Sequence, residues 1–217
     1  MQNSRPTWEI SKGLVDYTFS IQKMEDIVSD IIENDRQGAV WLLEYPSIYT
    51  AGSSAVSCDL LEESKFPVYK TGRGGKFTYH GPGQRVAYFM LDLKKQFAPH
   101  DPDLKKYVFL LEELIIAVLR EFGVIGERRP GRIGIWVETV FGEKKIAAIG
   151  IRVRKWVAYH GIAINVSPNL EHFHGIVPCG ISEYGVTSLR DLGKDVSMDE
   201  LDDALMRNFQ NIFGETK

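Results

Sequence analysis

Residues 133–166 read IGIWVETVFGEKKIAAIGIRVRKWVAYHGIAINV and carry the pattern that decides the fold. Apolar and β-branched residues are concentrated in runs separated by turn residues, first at Phe141-Gly142-Glu143 and again near Arg154-Lys155. The runs cover residues 133–140, 146–153 and 156–166. Strands joined by such short turns pair as antiparallel neighbours. The segment therefore predicts a three-stranded meander.

Apolar residues elsewhere follow a helical period at both ends and in the middle of the chain. They predict helices over residues 21–33, 102–122 and 198–213. The last helix follows a capping box formed by Ser197 and Glu200. Short apolar runs predict further buried strands at residues 39–45 and 86–93.

This order of elements predicts an α+β or mixed α/β fold in which helices flank a mixed sheet. Because no internal repeat, low-complexity tract or linker divides the sequence, we expect a single domain over residues 1–217.

The composition excludes several classes of protein. The net charge of −3 over 217 residues argues against a generally basic nucleic-acid binder. No stretch approaches the roughly 18 consecutive apolar residues of a membrane span, so we expect neither a nucleic-acid nor a membrane partner. Two cysteines do not make a disulfide scaffold, and the N-terminus has no apolar signal core. We therefore expect a cytoplasmic protein.

Cys179 and Lys145 are the candidate catalytic residues. Cys179 lies between Pro178, which restricts the backbone, and Gly180, which leaves room around the sulfur. A thiolate nucleophile needs a base or a cation nearby, and Lys145, 34 positions upstream, is the candidate. An isolated cysteine also fits a small buried hydrophobe, and a lysine at a strand end also fits a side chain that extends to solvent.

Strand alternation suggests where Lys145 points. In a regular strand, Lys145 shares one face with the apolar residues Ala147, Ile149, Ile151 and Val153. Lys144 then points the other way. The pattern predicts a partly desolvated Lys145 at the head of an apolar row, which suits it to proton transfer.

The segment 71–84 holds five glycines in fourteen residues. It is neither a phosphate-binding loop nor a dinucleotide fingerprint. Glycines let the backbone approach a ligand closely, and Arg73 and His80 would supply polar contacts. A hairpin-rich connection is the alternative. A further histidine-glycine pair, His160-Gly161, lies on a predicted strand, where a lone histidine more often has a structural role.

A metal site is a further alternative. His172, His174 and Cys179 lie close together in the sequence, and His160 would make a fourth ligand. Their spacing matches no usual zinc site, and His172-Phe173-His174 has the character of an exposed loop. We therefore expect no metal and no other cofactor.

Four segments together resemble one family, the octanoyltransferases, or lipoyl(octanoyl) transferases, of lipoate biosynthesis. The matching segments are 73–84, 145–150 with Arg152, 160–163 and 178–181. Residues 184–189 follow in the expected place, so the match runs in register from about Leu42 to Leu189. One departure is Phe77, where the family often has valine, and it leaves the acyl chain-length preference open. The other is Glu183-Tyr184, in the loop after Gly180.

The resemblance implies the fold shared by biotin and lipoate protein ligases. It also implies that Cys179 is similar to the acyl-thioester nucleophile and Lys145 to its partner lysine. The stretches similar to those that line the acyl pocket are Arg73, Gly74, Gly75, Lys76, Phe77, Thr78, Tyr79 and His80, then Ala148, Ile149 and Gly150, then Gly161, Ile162 and Ala163.

The implied reaction moves an octanoyl group from octanoyl-acyl carrier protein to Cys179 and then to a lysine of a lipoyl domain. The implied acceptors are the lipoyl domains of 2-oxoacid dehydrogenases and the glycine cleavage H protein. Because acyl carrier proteins are acidic, we expect a basic rim to steer docking, with ordinary solvated surface as the alternative. The candidate rim comprises Lys70, Arg73, Lys76, Arg85, Arg152, Arg154 and Lys155.

Two other functions compete with this one. An ATP-dependent lipoate or biotin protein ligase would activate a free acid as an adenylate on the same fold. A non-catalytic module would bind acyl carrier protein or lipoyl domains without forming a covalent acyl-enzyme.

Overall fold

The structure, a computed structural model, describes residues 5–177 and 184–214. The strands are β1 (Thr7–Leu14), β2 (Ala39–Glu44), β3 (Ile48–Ala51), β4 (Val68–Lys70), β5 (Phe77–His80), β6 (Gln84–Asp92), β7 (Glu127–Arg129), β8 (Arg132–Thr139), β9 (Gly142–Arg154), β10 (Val157–Asn165) and β11 (Gly185–Val186). The helices are α1 (Tyr17–Glu33), α2 (Leu93–Phe97), α3 (Leu104–Glu121) and α4 (Met198–Gly214). No helix in these two ranges is both long and apolar enough to cross a membrane.

The strands form a large mixed sheet and a small one. The large sheet has the order β1-β2-β6-β10-β9-β8-β7, and β11 pairs with β9. The predicted meander is confirmed, because β8, β9 and β10 are antiparallel neighbours. The pairs β1–β2 and β9–β11 are parallel, so the sheet is mixed. The small sheet has the order β4-β3-β5. The predicted α/β class with a mixed sheet and flanking helices is confirmed.

The predicted helices are confirmed, with shifted ends that follow from their caps. The α1 helix begins at Tyr17, four residues earlier than predicted, because the Asp16 carboxylate accepts a hydrogen bond from the Phe19 amide. In α4 the capping box is formed as predicted: the Ser197 amide donates to Glu200, and the Glu200 amide donates to Ser197 Oγ.

The two faces of the large sheet pack against different helices. Helices α3 and α4 cover one face, where Phe209 of α4 stacks on Phe89 of β6 at 5.7 Å between ring centroids. Helix α1 covers part of the opposite face and buries Met24 and Val28 against β2, β6 and β10. A further apolar cluster, around Tyr49 and Tyr79, lies under the small sheet.

A β-bulge in β9 corrects the predicted orientation of Lys145. Ile135 pairs with Ala147, but the next residue of β8, Trp136, pairs with Lys145. Ile146 is therefore an extra residue in β9, and both Ile146 and Ala147 belong to the core under α3 and α4. Lys145 consequently shares a face with Trp136 and not with Ala147. The prediction that it heads the row Ala147, Ile149, Ile151, Val153 was wrong.

Arg85 does not belong to the proposed basic rim. Its side chain is only 4% exposed and forms a bidentate ion pair with Asp202 of α4, at 2.8 Å from Nε to Oδ1 and 2.9 Å from Nη2 to Oδ2. Burial raises the pKa of Asp202 to about 6, although Arg85 acts in the opposite direction. The pair fastens α4 to the centre of the sheet.

We expect Asp202→Asn to lower the free energy of unfolding by about 3–5 kcal/mol, because it leaves the Arg85 cation buried without its counter-charge. The matched control is Asp30→Asn, which breaks the exposed Arg36–Asp30 pair and should cost no more than about 1 kcal/mol. Urea unfolding at pH 7.5 measures both. A loss for Asp202→Asn as small as that of the control would show that Arg85 is not held by this pair.

Candidate active site

A cleft lies between the glycine-rich segment with β5 and the face of β6, β9 and β10 that α3 and α4 do not cover. It encloses about 540 Å³ of space, part of it open to solvent. Tyr17 of α1 lines the cleft from the side, so elements from three parts of the chain build it.

The structure brings the predicted pocket residues together. All of them line the cleft except Gly74 and Tyr79. Gly74 donates its amide to the Ile151 carbonyl at 2.9 Å and so fastens the glycine-rich segment to β9. Tyr79 points to the opposite side of β5, because neighbouring residues of a strand face opposite ways, and its hydroxyl contacts Ser47 and His172. Lining residues that the sequence reasoning missed are Tyr17, Val86, Tyr88 and His160.

Small residues form the floor of the cleft. Ala163 of β10 lies opposite Ala148 of β9 on one side and Val86 of β6 on the other. A Cβ at Gly150 would lie 2.9 Å from Arg73 Cδ and 3.2 Å from the Gly74 carbonyl oxygen. Glycine at 150 is therefore needed for the glycine-rich segment to approach the sheet this closely.

Arg73 fixes the shape of the glycine-rich segment. Its guanidinium donates to the carbonyl oxygens of Thr50, Gly74 and Lys76 and to the Thr50 hydroxyl, at 2.7–3.1 Å. These four contacts are to neutral oxygens of the glycine-rich segment and of β3. The predicted ligand-binding role of this segment remains open to test, but its geometry is that of a cleft wall and not of an exposed hairpin.

Burial and the positive charge of Arg73 lower the pKa of two histidines in the cleft. Burial first and Arg73 second lower the pKa of His80 to about 4, although the hydrogen bond from Nδ1 to Gln84 raises it. Burial, Arg73, Arg152 and His80 together lower the pKa of His160 to about 3. At neutral pH both rings are uncharged.

His160 reaches the cleft through an unusual backbone conformation. Its φ of +60° lies in the left-handed region, which non-glycine residues adopt rarely, and Gly161 follows it. The ring packs edge-on against Tyr88 at 5.7 Å, on the face of β10 that turns away from α3 and α4. The pair His160-Gly161 is the only sequence signal of this arrangement, and a regular strand would have turned this ring into the core.

Lys145 lies at the end of the cleft wall formed by β9, and only 7% of its surface is exposed. Its ammonium is 5.0 Å from the centre of the Trp136 ring, in cation–π contact. Gly134, with φ +112°, leaves room for it: a Cβ there would lie 2.9 Å from Lys145 Cε and 3.3 Å from Nζ. The Lys145 carbonyl accepts the Thr187 amide at 2.9 Å.

Cys179 lies outside the described residues, but the chain on either side of its segment is well anchored. Before it, Ile176 forms an antiparallel bridge with Leu60, and the Val177 amide donates to the Asp59 carbonyl at 2.7 Å. After it, Val186 of β11 pairs with Lys145. The segment thus leads directly into the strand beside the candidate lysine.

A metal site among the described residues would require a set of ligand side chains close together. Within residues 5–177 and 184–214 no three His, Cys, Asp or Glu side chains come close enough to hold an ion together. His172, predicted in an exposed loop, is packed instead: Nδ1 is 2.8 Å from the Tyr79 hydroxyl, and its ring lies 4.7 Å from that of Phe66.

The depressed pKa of His160 predicts a pH effect on stability. Between about pH 3 and 6.5 the unfolded chain binds a proton that the folded chain does not, so stability falls as the pH drops through 6.5. We expect this group to cost about 2 kcal/mol between pH 7.5 and 5.0. His160→Asn, which tolerates positive φ, should lessen the fall in the free energy of unfolding by that amount.

The control is His100→Asn, at an exposed position, which should keep the wild-type fall. Urea titrations at the two pH values provide the comparison. An unchanged fall in the His160 variant would show that this ring is protonated in the folded protein at pH 5.

Comparisons with known proteins identify the family of this chain. The model of the lipoyl protein ligase A/B catalytic domain matches residues 16–210. An octanoyltransferase from Parvibaculum lavamentivorans is 53% identical over 213 residues, which are 96% of this chain and 93% of the relative. An octanoyltransferase from Paramagnetospirillum magneticum is 56% identical over 208 residues, which are 95% of this chain and 96% of the relative.

Solved structures share the fold at low sequence identity. A bipartite lipoate protein ligase from Thermoplasma acidophilum has a TM-score of 0.71 at 17% identity, over 97% of this chain and 84% of the other. Lipoate-protein ligase A bound with ATP has a TM-score of 0.70 at 16% identity, over 97% and 86%. The expected family is thus confirmed: the chain belongs to the lipoyl protein ligase A/B catalytic domain family, and within it to the octanoyltransferases, which are acyltransferases.

Proposed function

We propose that this acyltransferase moves an octanoyl group from octanoyl-acyl carrier protein, through a thioester on Cys179, to the lysine of a lipoyl domain. The acceptors are the lipoyl domains of 2-oxoacid dehydrogenases and the glycine cleavage H protein, and the compartment is the cytoplasm. No ATP is consumed, because a thioester is converted into an amide.

The placement of Lys145 is the observation that carries this proposal. The bulge at Ile146 turns Lys145 onto the same face as the cleft residues Ala148 and Gly150. Its strand neighbour β11 follows the Cys179 segment immediately. A lysine that only extended to solvent would not need the bulge that turns it onto the cleft face.

In the first half-reaction Lys145 Nζ takes the proton of the Cys179 thiol. The thiolate attacks the carbonyl carbon of the octanoyl thioester, and a new C–S bond forms. The tetrahedral intermediate then collapses, the C–S bond to pantetheine breaks, and the Lys145 ammonium returns the proton to the leaving thiolate.

In the second half-reaction the amine of the acceptor lysine attacks the Cys179 thioester. Lys145 takes one proton from the attacking nitrogen as the C–N bond forms. Collapse of the intermediate breaks the C–S bond, and the proton passes to the Cys179 thiolate. The enzyme ends in the state in which it began.

The oxyanion of each intermediate requires hydrogen-bond donors. β9 pairs with β10 along one edge. The carbonyl of Ile151 points to the other edge, where it accepts the Gly74 amide. Because N–H and C=O of one strand residue point to the same edge and alternate along the strand, the Ile149 N–H also faces that edge. Ile149 is therefore our candidate donor within β9.

The cleft is suited to the octanoyl tail. Its floor of Val86, Ala148 and Ala163 is apolar and lacks bulky side chains. Burial of seven methylenes at about 0.8 kcal/mol each stabilises the complex by roughly 5 kcal/mol before ordering costs.

The docking surface for the acidic carrier protein is smaller than the sequence suggested. The Arg152 side chain lies against the glycine-rich segment, since a Cβ at Gly72 would be 2.3 Å from its Nη1. Arg152 and Arg154 both contact Glu25, at 3.8 and 3.0 Å, and Lys76 contacts Asp59 at 3.3 Å. These carboxylates reduce the positive field of the rim, so we assign it steering and not tight binding.

We expect intact-protein mass spectrometry after incubation with octanoyl-acyl carrier protein to show a gain of one octanoyl group. The adduct should be removed by hydroxylamine and be absent from Cys179→Ala. An unmodified wild-type protein with intact donor would refute the covalent mechanism. Pyrophosphate exchange with ATP and free octanoate would then support the ligase.

We expect Lys145→Met to slow acyl transfer to a lipoyl domain by about 100-fold or more, since it removes the group that moves every proton. Lys144→Met is the matched control, because Lys144 faces away from the cleft and contacts Asp191. Equal rates for the two variants would remove Lys145 from the mechanism.

Gly134→Ala tests the space around the Lys145 ammonium. We expect transfer to fall by about tenfold or more, because the new Cβ would meet the Ala147 carbonyl oxygen at 2.6 Å and Lys145 Cε at 2.9 Å, which shifts the ammonium and the strand that carries it. Gly142→Ala is the control: its φ is also positive, at +92°, but its Cβ would meet nothing within 4 Å. Both variants bear backbone strain, so a similar loss of rate in both would attribute the effect to strain alone.

A further inference from the structure

A buried chain of side-chain amides connects the cleft with the strand beside Lys145. Gln84 and Asn165 are 2% and 4% exposed, and they lie opposite each other on β6 and β10. Gln84 contacts His80, Asn165 contacts the Thr187 carbonyl, and the Thr187 amide donates to the Lys145 carbonyl. This row is two residues nearer the Lys145 end than the floor residues Val86 and Ala163.

Backbone carbonyls at both ends dictate the orientation of each amide. The Thr187 carbonyl only accepts, so Asn165 directs its NH₂ to it at 2.9 Å and turns Oδ1 toward Gln84. Gln84 must then direct its own NH₂ toward Asn165 Oδ1, at 2.9 Å, and toward the Tyr79 carbonyl, at 3.2 Å. Its Oε1 is left facing His80 Nδ1 at 2.6 Å.

The orientation of Gln84 in turn determines the protonation of His80. Oε1 is an acceptor, so Nδ1 of the neutral ring must carry the hydrogen, and Nε2 keeps a free lone pair. His80 is a cleft residue. The tautomer of this ring is therefore set by Thr187, which lies beside the lysine, and not by the cleft itself.

We propose that Gln84 and Asn165 are positioning residues that hold His80 as its Nδ1–H tautomer, so that Nε2 accepts a hydrogen bond from the amine of the acceptor lysine. This inference rests on the proposed function. The octanoyl tail and its thioester carbonyl have no donor hydrogens, whereas the attacking amine has them. A weakly basic acceptor orients this amine and leaves its proton to Lys145.

The groups around His80 are consistent with a neutral acceptor. Arg73 from the glycine-rich segment and His160 from β10 interact with it electrostatically, and the Tyr45 ring lies 5.7 Å away. Tyr17 from α1 and Tyr88 from β6 line the same cleft. The charged group that acts on the ring, Arg73, opposes a second positive charge on it.

The tautomer is measured by ¹⁵N NMR of the histidine rings in the wild-type protein at pH 7.5, with His80→Gln used for assignment. We expect the His80 Nδ1 resonance to be that of a protonated nitrogen and the Nε2 resonance that of an unprotonated one. The reverse pattern, or two protonated nitrogens, overturns the proposal. This measurement needs no turnover, so its outcome is independent of whether the acyl-enzyme forms.

The kinetic test is Gln84→Glu. At neutral pH the new carboxylate draws a second proton onto the His80 ring. Nε2 is then protonated and no longer accepts a hydrogen bond, and raising the pH restores this acceptor. We expect the ratio of variant to wild-type transfer rate to be at most one tenth at pH 6.5 and to rise at least fivefold by pH 9. Gln37→Glu, at an exposed position, is the control for the change of charge and should give a flat ratio.

A ratio for Gln84→Glu that stays low at all pH values shows only a structural role for Gln84 and overturns the proposal. So does a ratio near one throughout. If wild-type protein forms no acyl-enzyme, the proposed function fails first, and the NMR result still decides the tautomer.

Discussion

One extra residue in β9 determines the relation between core and cleft in this protein. A strand presents alternate residues to opposite faces. In a regular β9, Lys145 and Ala147 would share one face, so either Lys145 would enter the core or Ala147 would leave it. The bulge at Ile146 lets both Ile146 and Ala147 enter the core under α3 and α4. Lys145 is thereby turned to the cleft face while the following residues keep their packing. The hydrophobic core and the candidate catalytic lysine are compatible only because of this irregularity.

The regular elements were predictable because their signals are local. The α3 helix and the meander each repeat a period over many residues, and the pattern outweighs any single residue. Short strands such as β3 and β5, with four residues each, carry too little pattern to be recognised. The sequence pattern predicts no strand at either position.

The irregular features of the site depend on tertiary context. The register that creates the bulge arises from the pairing of β9 with β8, and the positive φ of His160 is maintained by packing around α1, where its amide contacts the Met24 sulfur. The burial of Arg85 depends on Asp202, 117 positions away. Most of the residues that the motif resemblance names line one cleft, but the resemblance carries no information on which side of a strand each one faces. Tyr79, inside the motif but turned from the cleft, illustrates this.

The electrostatic environment of the cleft decides which of its basic groups can accept a proton near neutral pH. A general base is most effective when its pKa lies near the working pH. His80 and His160, with pKa values lowered to about 4 and 3, are far below neutrality and are poor proton acceptors in the chemical step. They are nevertheless good hydrogen-bond partners, because a neutral imidazole has one donor and one acceptor nitrogen. Burial first and Arg73 second lower the pKa of both rings, so the cation that shapes the glycine-rich wall also contributes to keeping the histidines neutral. The histidines of the cleft are therefore suited to orienting groups by hydrogen bonds and not to accepting their protons.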